Sequence, residues 1–198
     1  MEHSSFVWHV LAPQKRHAAY PIGVLSVFKT IVLFGLPGSG KSTVARMICR
    51  LTHSVHFDSD RFAGAFRDAG LDVEHAFQTA VKQIMDILGD APTEHCSLII
   101  SDSLSRTDSW NHLFETQRRE NLCITLIKVD CSVDTALSRV VQREGRHIME
   151  NDDVSIRLAQ DFYSKLNHEY FTVWNGDGAD IDQVAREALK LSELNMAA

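Results

Sequence analysis

The stretch Gly35-Leu36-Pro37-Gly38-Ser39-Gly40-Lys41-Ser42-Thr43 constrains this chain more than any other. It follows the apolar run Thr30-Ile31-Val32-Leu33-Phe34, which reads as a buried parallel strand. It precedes Val44-Ala45-Arg46-Met47-Ile48-Cys49, which reads as the opening turns of a helix. Strand, glycine-rich turn, lysine, hydroxyl and helix form the phosphate-binding P-loop in the context it needs. Gly35, Gly38 and Gly40 let the backbone curl until successive amides point inward, and the helix from Lys41 adds its positive end. Lys41 supplies a mobile cation for the outer phosphates, and the Ser42 hydroxyl is a magnesium ligand. The cofactor-binding set is therefore Gly35, Leu36, Pro37, Gly38, Ser39, Gly40, Lys41, Ser42 and Thr43, with ATP and Mg2+ as the expected ligands.

The rest of the chain repeats the alternation begun there. After the helix at 41–52 comes a short strand, Ser54-Val55-His56-Phe57, ending at Asp58-Ser59-Asp60-Arg61. Phe62, Ala65, Phe66 and Ala69 then recur at helical spacing, and Asp72 reads as the N-cap of a further helix. Cys96–Ser101 is a third strand, apolar enough to be central, and ends at Asp102. A helix over 107–120 leads to a fourth strand at 122–129, and Ser132 caps the helix after it. A helix at 153–168, a fifth strand at 170–174, the loop Asn175-Gly176-Asp177-Gly178 and a closing helix at 180–194 complete the series. Five alternations predict an α/β fold: a P-loop NTPase three-layer sandwich, with a five-stranded parallel sheet, helices on both faces and a small lid. The active crevice belongs at the carboxyl ends of the strands, where Gly35, Asp58, Asp60, Asp102, Asp130 and Asn175 fall.

At 198 residues the chain suits one domain, expected over 29–198, with residues 1–28 as an N-terminal extension of a different character. Twenty basic against twenty-six acidic residues give a net charge of −6, which argues against broad non-specific nucleic-acid binding. No apolar run reaches the roughly 20 residues of a membrane helix. Cys49, Cys96, Cys123 and Cys131 form no CxxC pair, so reduced thiols and a cytoplasmic setting are expected. His53 and His56 lack partners at zinc spacing.

A P-loop alone does not separate a kinase from a GTPase or a motor. Phosphoryl transfer to an alcohol needs a carboxylate that orients the hydroxyl and takes its proton, and Asp60 is the first choice, with Asp58 second. The plain alternative for Asp60 is the cap of a helix starting at Arg61. Asp58, Arg61 and Arg106 are candidates for contact with the acceptor, and Arg61 is equally readable as a solvated helix charge. Asp102 stands where a carboxylate serves Mg2+, so the metal set is Ser42 and Asp102. Arg139, Arg143 and Arg146 form a cluster running into a segment rich in Glu150, Asp152 and Asp153, which reads as a lid at about 144–153. Arg143 and Arg146 would neutralise the charge on the transferred group, whereas a hydrolytic ATPase needs no such flap. Asn175 would border the nucleotide base, while Trp174 and Tyr170 read as core.

With these motifs in place, the chain resembles the P-loop kinase superfamily over roughly residues 30–190. The stretch Gly35–Thr43 and the segment Asp58–Arg61 are similar to polynucleotide 5′-hydroxyl kinases, and Arg139–His147 is similar to the lid in the kinase module of fungal-type RNA ligases. That resemblance implies a general base at Asp60 and an arginine that reads the acceptor's phosphate. Gluconate-type sugar kinases, adenylylsulfate kinase and antibiotic phosphotransferases share the scaffold, and a scaffold does not choose among them. The expected activity is ATP- and Mg2+-dependent transfer to an acceptor alcohol, either a nucleic-acid end or a small molecule. The alternatives are a small-metabolite kinase, for a sugar, nucleoside or antibiotic, and a regulatory P-loop ATPase.

Overall fold

The computed structural model describes residues 29–52, 54–72, 75–76, 79–80, 82–83, 98–102, 111, 113–115, 117–118, 123–142, 152–166 and 168–195. Its strands are β1 (Lys29–Phe34), β2 (Val55–Asp58), β3 (Leu98–Ser101), β4 (Cys123–Asp130) and β5 (Phe171–Trp174). The named helices are α1 (Lys41–Thr52), α2 (Ser59–Asp68), α3 (Val133–Val141), α4 (Asp152–Ser164) and α5 (Ile181–Asn195). Helical turns also occur within 75–83 and 111–118.

The strands form one parallel sheet in the order β2-β3-β1-β4-β5. The P-loop strand is therefore central. Thr30 to Leu33 lie beside Leu98 to Ser101 on one side, and Lys29 to Phe34 beside Cys123 to Lys128 on the other. Because side chains alternate along a strand, β1 feeds two cores. Ile31 and Leu33 join Val44 and Ile48 of α1 and Val184 and Ala188 of α5. Val32 and Phe34 join Ala136 and Val140 of α3 and Ile156 and Tyr163 of α4. Helices thus cover both faces, as the alternation predicts, and β1 is paired on both sides, with β3 and with β4.

Boundaries near the crevice differ from expectation in one way that matters. Helix α2 begins at Ser59 with Asp58 at the N-cap position, so Asp60 sits in the first turn and caps nothing. The caps expected at Asp72 and Ser132 form: the Asp72 carboxylate accepts from His75 N–H at 3.1 Å, and Ser132 Oγ accepts from Thr135 N–H at 3.1 Å. The expected extension 1–28 and lid residues 144–151 lie outside the described residues, as do Arg106, Arg143, Arg146 and Cys96. Cys49, Cys123 and Cys131 are free thiols. Among the described residues no helix is long and apolar enough to cross a membrane.

Candidate functional site

The turn after β1 closes on itself before α1 begins. Ser39 N–H donates to Leu36 C=O at 3.0 Å, and Thr43 and Val44 N–H both donate to Gly40 C=O at 2.9 Å. Close approach requires glycine in this turn. Gly38, at φ +86°, would drive a Cβ into the backbone of Ala136, and Gly40, at φ +88°, would drive one into the Asn175 amide. Lys41, at the head of α1, is only 6% exposed.

Asn175 follows β5 and is fastened to this turn. Its Nδ2 donates to Ser39 C=O at 2.7 Å, and its N–H donates to Asp130 C=O at 2.7 Å. Arg139 of α3 donates to the carbonyls of Asn175 and Gly176 at 2.9 Å each. Its guanidinium therefore secures the loop after β5, away from the lid role given to its neighbours. Trp174 is 59% exposed beside Gly176, so the expected core position holds for Tyr170, packed edge-on to Phe34 at 5.2 Å, and fails for Trp174.

On the other side of β1, Ser101 ends β3 and Asp102 follows it. Asp102 is 5% exposed, and its N–H donates to Leu33 C=O at 3.0 Å. Ser101 lies directly beside Asp58 of β2. Its Oγ is 3.3 Å from Ser42 Oγ and 2.8 Å from His56 Nε2, and its carbonyl accepts from Ser59 Oγ at 3.2 Å. His56 in turn lines a pocket of about 130 Å³ with Arg46, Asp58, Arg61 and Phe62. Burial holds the His56 imidazole below its ordinary pKa, with Arg46 and Arg61 pushing the same way and Asp58 opposing.

A further hydroxyl enters from α4. Tyr163 is 4% exposed, with its ring edge-on to Phe34 at 5.6 Å and Lys128 Nζ 5.9 Å from its centroid. Its pKa is raised well above the ordinary value by burial and then by the Asp102 and Asp60 carboxylates, against a backbone hydrogen bond from Gly35. Tyr163, Asp60 and Asp102 therefore share one neighbourhood at the start of the P-loop turn. Asp130, by contrast, is paired with Lys128 at 3.0 Å.

The donors suit a hard divalent cation: a hydroxyl at Ser42 and, directly after its partner Ser101, a buried carboxylate at Asp102. The Ser39 hydroxyl is buried within the turn without a hydrogen-bond partner. Among the described residues no group of three or more His, Cys, Asp or Glu forms a metal cage.

Ser101, His56, Tyr163 and Arg46 are the residues of this site that sequence patterns did not select. Tyr163 follows Ile156 and Ala159 on the buried face of α4, where an amphipathic reading registers only an apolar stripe. Ser101 was visible as a hydroxyl ending an apolar strand, but its partners are 59 and 45 residues away.

Comparison with known structures bears on the fold. The chain is similar to a sugar kinase from a Janibacter species, with TM-score 0.64 and 17% identity over 86% of this chain and 97% of that one. It is similar to shikimate kinase from Acinetobacter baumannii solved with shikimate, with TM-score 0.62 and 20% identity over 88% and 98%. It is also similar to the Mycobacterium tuberculosis APS kinase solved with AMPPNP and APS, with TM-score 0.59 and 14% identity over 84% and 98%. No curated protein matches the sequence. These likenesses establish an α/β P-loop kinase fold. A family model described as AAA domain matches residues 31–165, more than half of the chain, and the protein belongs to that family.

Proposed function

We propose that this protein is a kinase of small metabolites, moving the γ-phosphoryl group of ATP to an alcohol whose molecule also carries an anionic group. The carrying observation is the pocket lined by Arg46, His56, Asp58, Arg61 and Phe62, joined through Ser101 to Ser42 of the P-loop. At about 130 Å³ it matches a compact acceptor rather than a length of chain. Two guanidiniums against one carboxylate and a neutral imidazole favour an anion, and the Phe62 ring offers an apolar wall. The net charge of −6 gives an extended polyanion no general attraction. The sugar, shikimate and APS kinases that share the fold act, by their names, on small acceptors, which supports this reading over a polynucleotide 5′ end.

In this reading the amides of Gly35–Thr43 and the Lys41 ammonium hold the phosphates. Ser42 and Asp102 would hold Mg2+, which when bound neutralises charge on the phosphate oxygens. Asp60 orients the acceptor hydroxyl and takes its proton, and Asp58 with Arg61 holds the acceptor. Asn175, with Arg139 behind it, borders the base. Arg143 and Arg146 shield the transferred group from water, and Arg106 adds a contact to the acceptor. The test is a screen with γ-labelled ATP against hydroxy acids, sugar acids, sugars, nucleosides, aminoglycosides and a 5′-hydroxyl oligonucleotide. Label on an anionic small alcohol is the expected result. Label on the oligonucleotide alone, or only phosphate released to water, overturns it.

A further inference from the structure

The Ser101 hydroxyl lies between two groups that the reaction would use separately. On one side is Ser42, which the proposed function makes a ligand of the cation. On the other is His56, a wall of the acceptor pocket. Ser101 is 1% exposed and its backbone is pinned in β3, beside Leu33 of β1 and Asp58 of β2. It has little freedom to seek other partners.

Each hydroxyl in this row carries one proton, so the row has a direction. For Ser42 to offer a lone pair to a cation, its own proton must point away from the metal, and Ser101 Oγ at 3.3 Å stands where it can accept that proton. Ser101 then accepts from Ser42 and must send its own proton elsewhere. The available acceptor is His56 Nε2 at 2.8 Å. In the opposite direction the Ser101 proton would point at Ser42, and the Ser42 proton would turn toward the cation. The neutral imidazole favoured by burial can leave Nε2 as an acceptor, and Asp58, Arg46 and Arg61 are the charged groups that face it.

We infer that His56 is a positioning residue for the cation site: through Ser101 it fixes the direction of the Ser42 hydroxyl. It need not touch the metal or the nucleotide. Outer partners of this kind set the orientation of a ligand and change metal affinity by about tenfold or more when removed. The inference rests on Ser42 being a metal ligand in a nucleotide-binding P-loop, and the same device ties the wall of the acceptor pocket to the donor half of the site.

The experiment measures ADP affinity by calorimetry in EDTA and again across a Mg2+ titration, for the parent and for four variants. The parent is expected to gain affinity with Mg2+. His56→Leu and Ser101→Ala should each lose about tenfold of that gain while keeping the EDTA affinity of the parent. His56→Gln, whose amide reaches the place of Nε2 and can accept there, should retain most of the gain. The double variant His56→Leu/Ser101→Ala should lose no more than either single one, because the two act in one row. Retention of the gain in His56→Leu, equal losses with and without Mg2+, additive losses in the double variant, or failure of His56→Gln to rescue would each overturn the relay. Absence of any Mg2+-dependent gain in the parent would instead overturn the metal-site reading beneath it.

Discussion

Arg139 and Asn175 are separated by 36 residues, yet the Arg139 guanidinium donates at 2.9 Å to the Asn175 carbonyl and equally to that of Gly176. Asn175 passes this order on, because its side-chain amide holds the Ser39 carbonyl at 2.7 Å. One arginine on α3 thus braces both the loop after β5 and the phosphate-binding turn.

Arg139→Ala should therefore weaken two things together. Loss of a charged pair of hydrogen bonds in a half-buried setting costs about 1–3 kcal/mol of stability, read as a shift in the urea midpoint. Nucleotide affinity should fall in the same variant. Arg139→Lys should recover little of either, since an ammonium is a point donor and cannot span both carbonyls.

Gly38→Ala should reduce nucleotide affinity by at least about tenfold, or 1.4 kcal/mol. The added Cβ meets the Ala136 backbone at φ +86°, and neither α3 nor the turn can give way cheaply. Gly70→Ala is the control. It has φ +98° and open space around it, so it should show backbone strain in a thermal melt with unchanged nucleotide binding.

Asp60→Asn should lower kcat by about 10²–10⁴ with little change in acceptor KM if Asp60 takes the acceptor proton. Asp58→Asn should chiefly raise acceptor KM, because Asp58 lines the pocket. Steady-state kinetics on the acceptor found by the screen checks the pair, and the reverse pattern would exchange their roles.

The lowered pKa of His56 gives a pH dependence with a definite sign. The folded protein binds this proton less readily than the unfolded chain, whose histidine titrates near 6.5. Stability from this group is full above that value and is lost as pH falls through it toward the folded pKa. Urea midpoints taken between about pH 8 and pH 5 should fall on the acid side, and His56→Gln should flatten that part of the slope.

Burial pushes the Cys49 thiol up to about 11. At pH 8 roughly one molecule in a thousand carries the thiolate, so alkylation at Cys49 should be slow until the protein unfolds. Mass-resolved labelling with iodoacetamide, with and without urea, measures this directly.

The sheet, its parallel sense and the P-loop were legible in the sequence because each rests on local pattern. The run Ile31–Phe34 is apolar at every position, as a strand buried on both faces must be, and Gly38 and Gly40 stand where only a glycine fits. The positions of Asp58, Asp102 and Asn175 at strand ends followed from the alternation alone. The side-chain pairings across the crevice did not. Ser42 meets Ser101 across 59 residues, His56 meets Ser101 across 45, and Asn175 meets Ser39 across 136. No spacing rule encodes such pairs. They depend on β3 lying between β1 and β2, which brings Ser101 within reach of both α1 and His56. Tertiary structure likewise turned Arg139 from the expected lid cluster to the loop after β5, because the Asn175 and Gly176 carbonyls lie within reach of its fork. The sequence by itself determined a phosphate-binding α/β domain; the sheet order decided which hydroxyls, carboxylates and guanidiniums stand together around it.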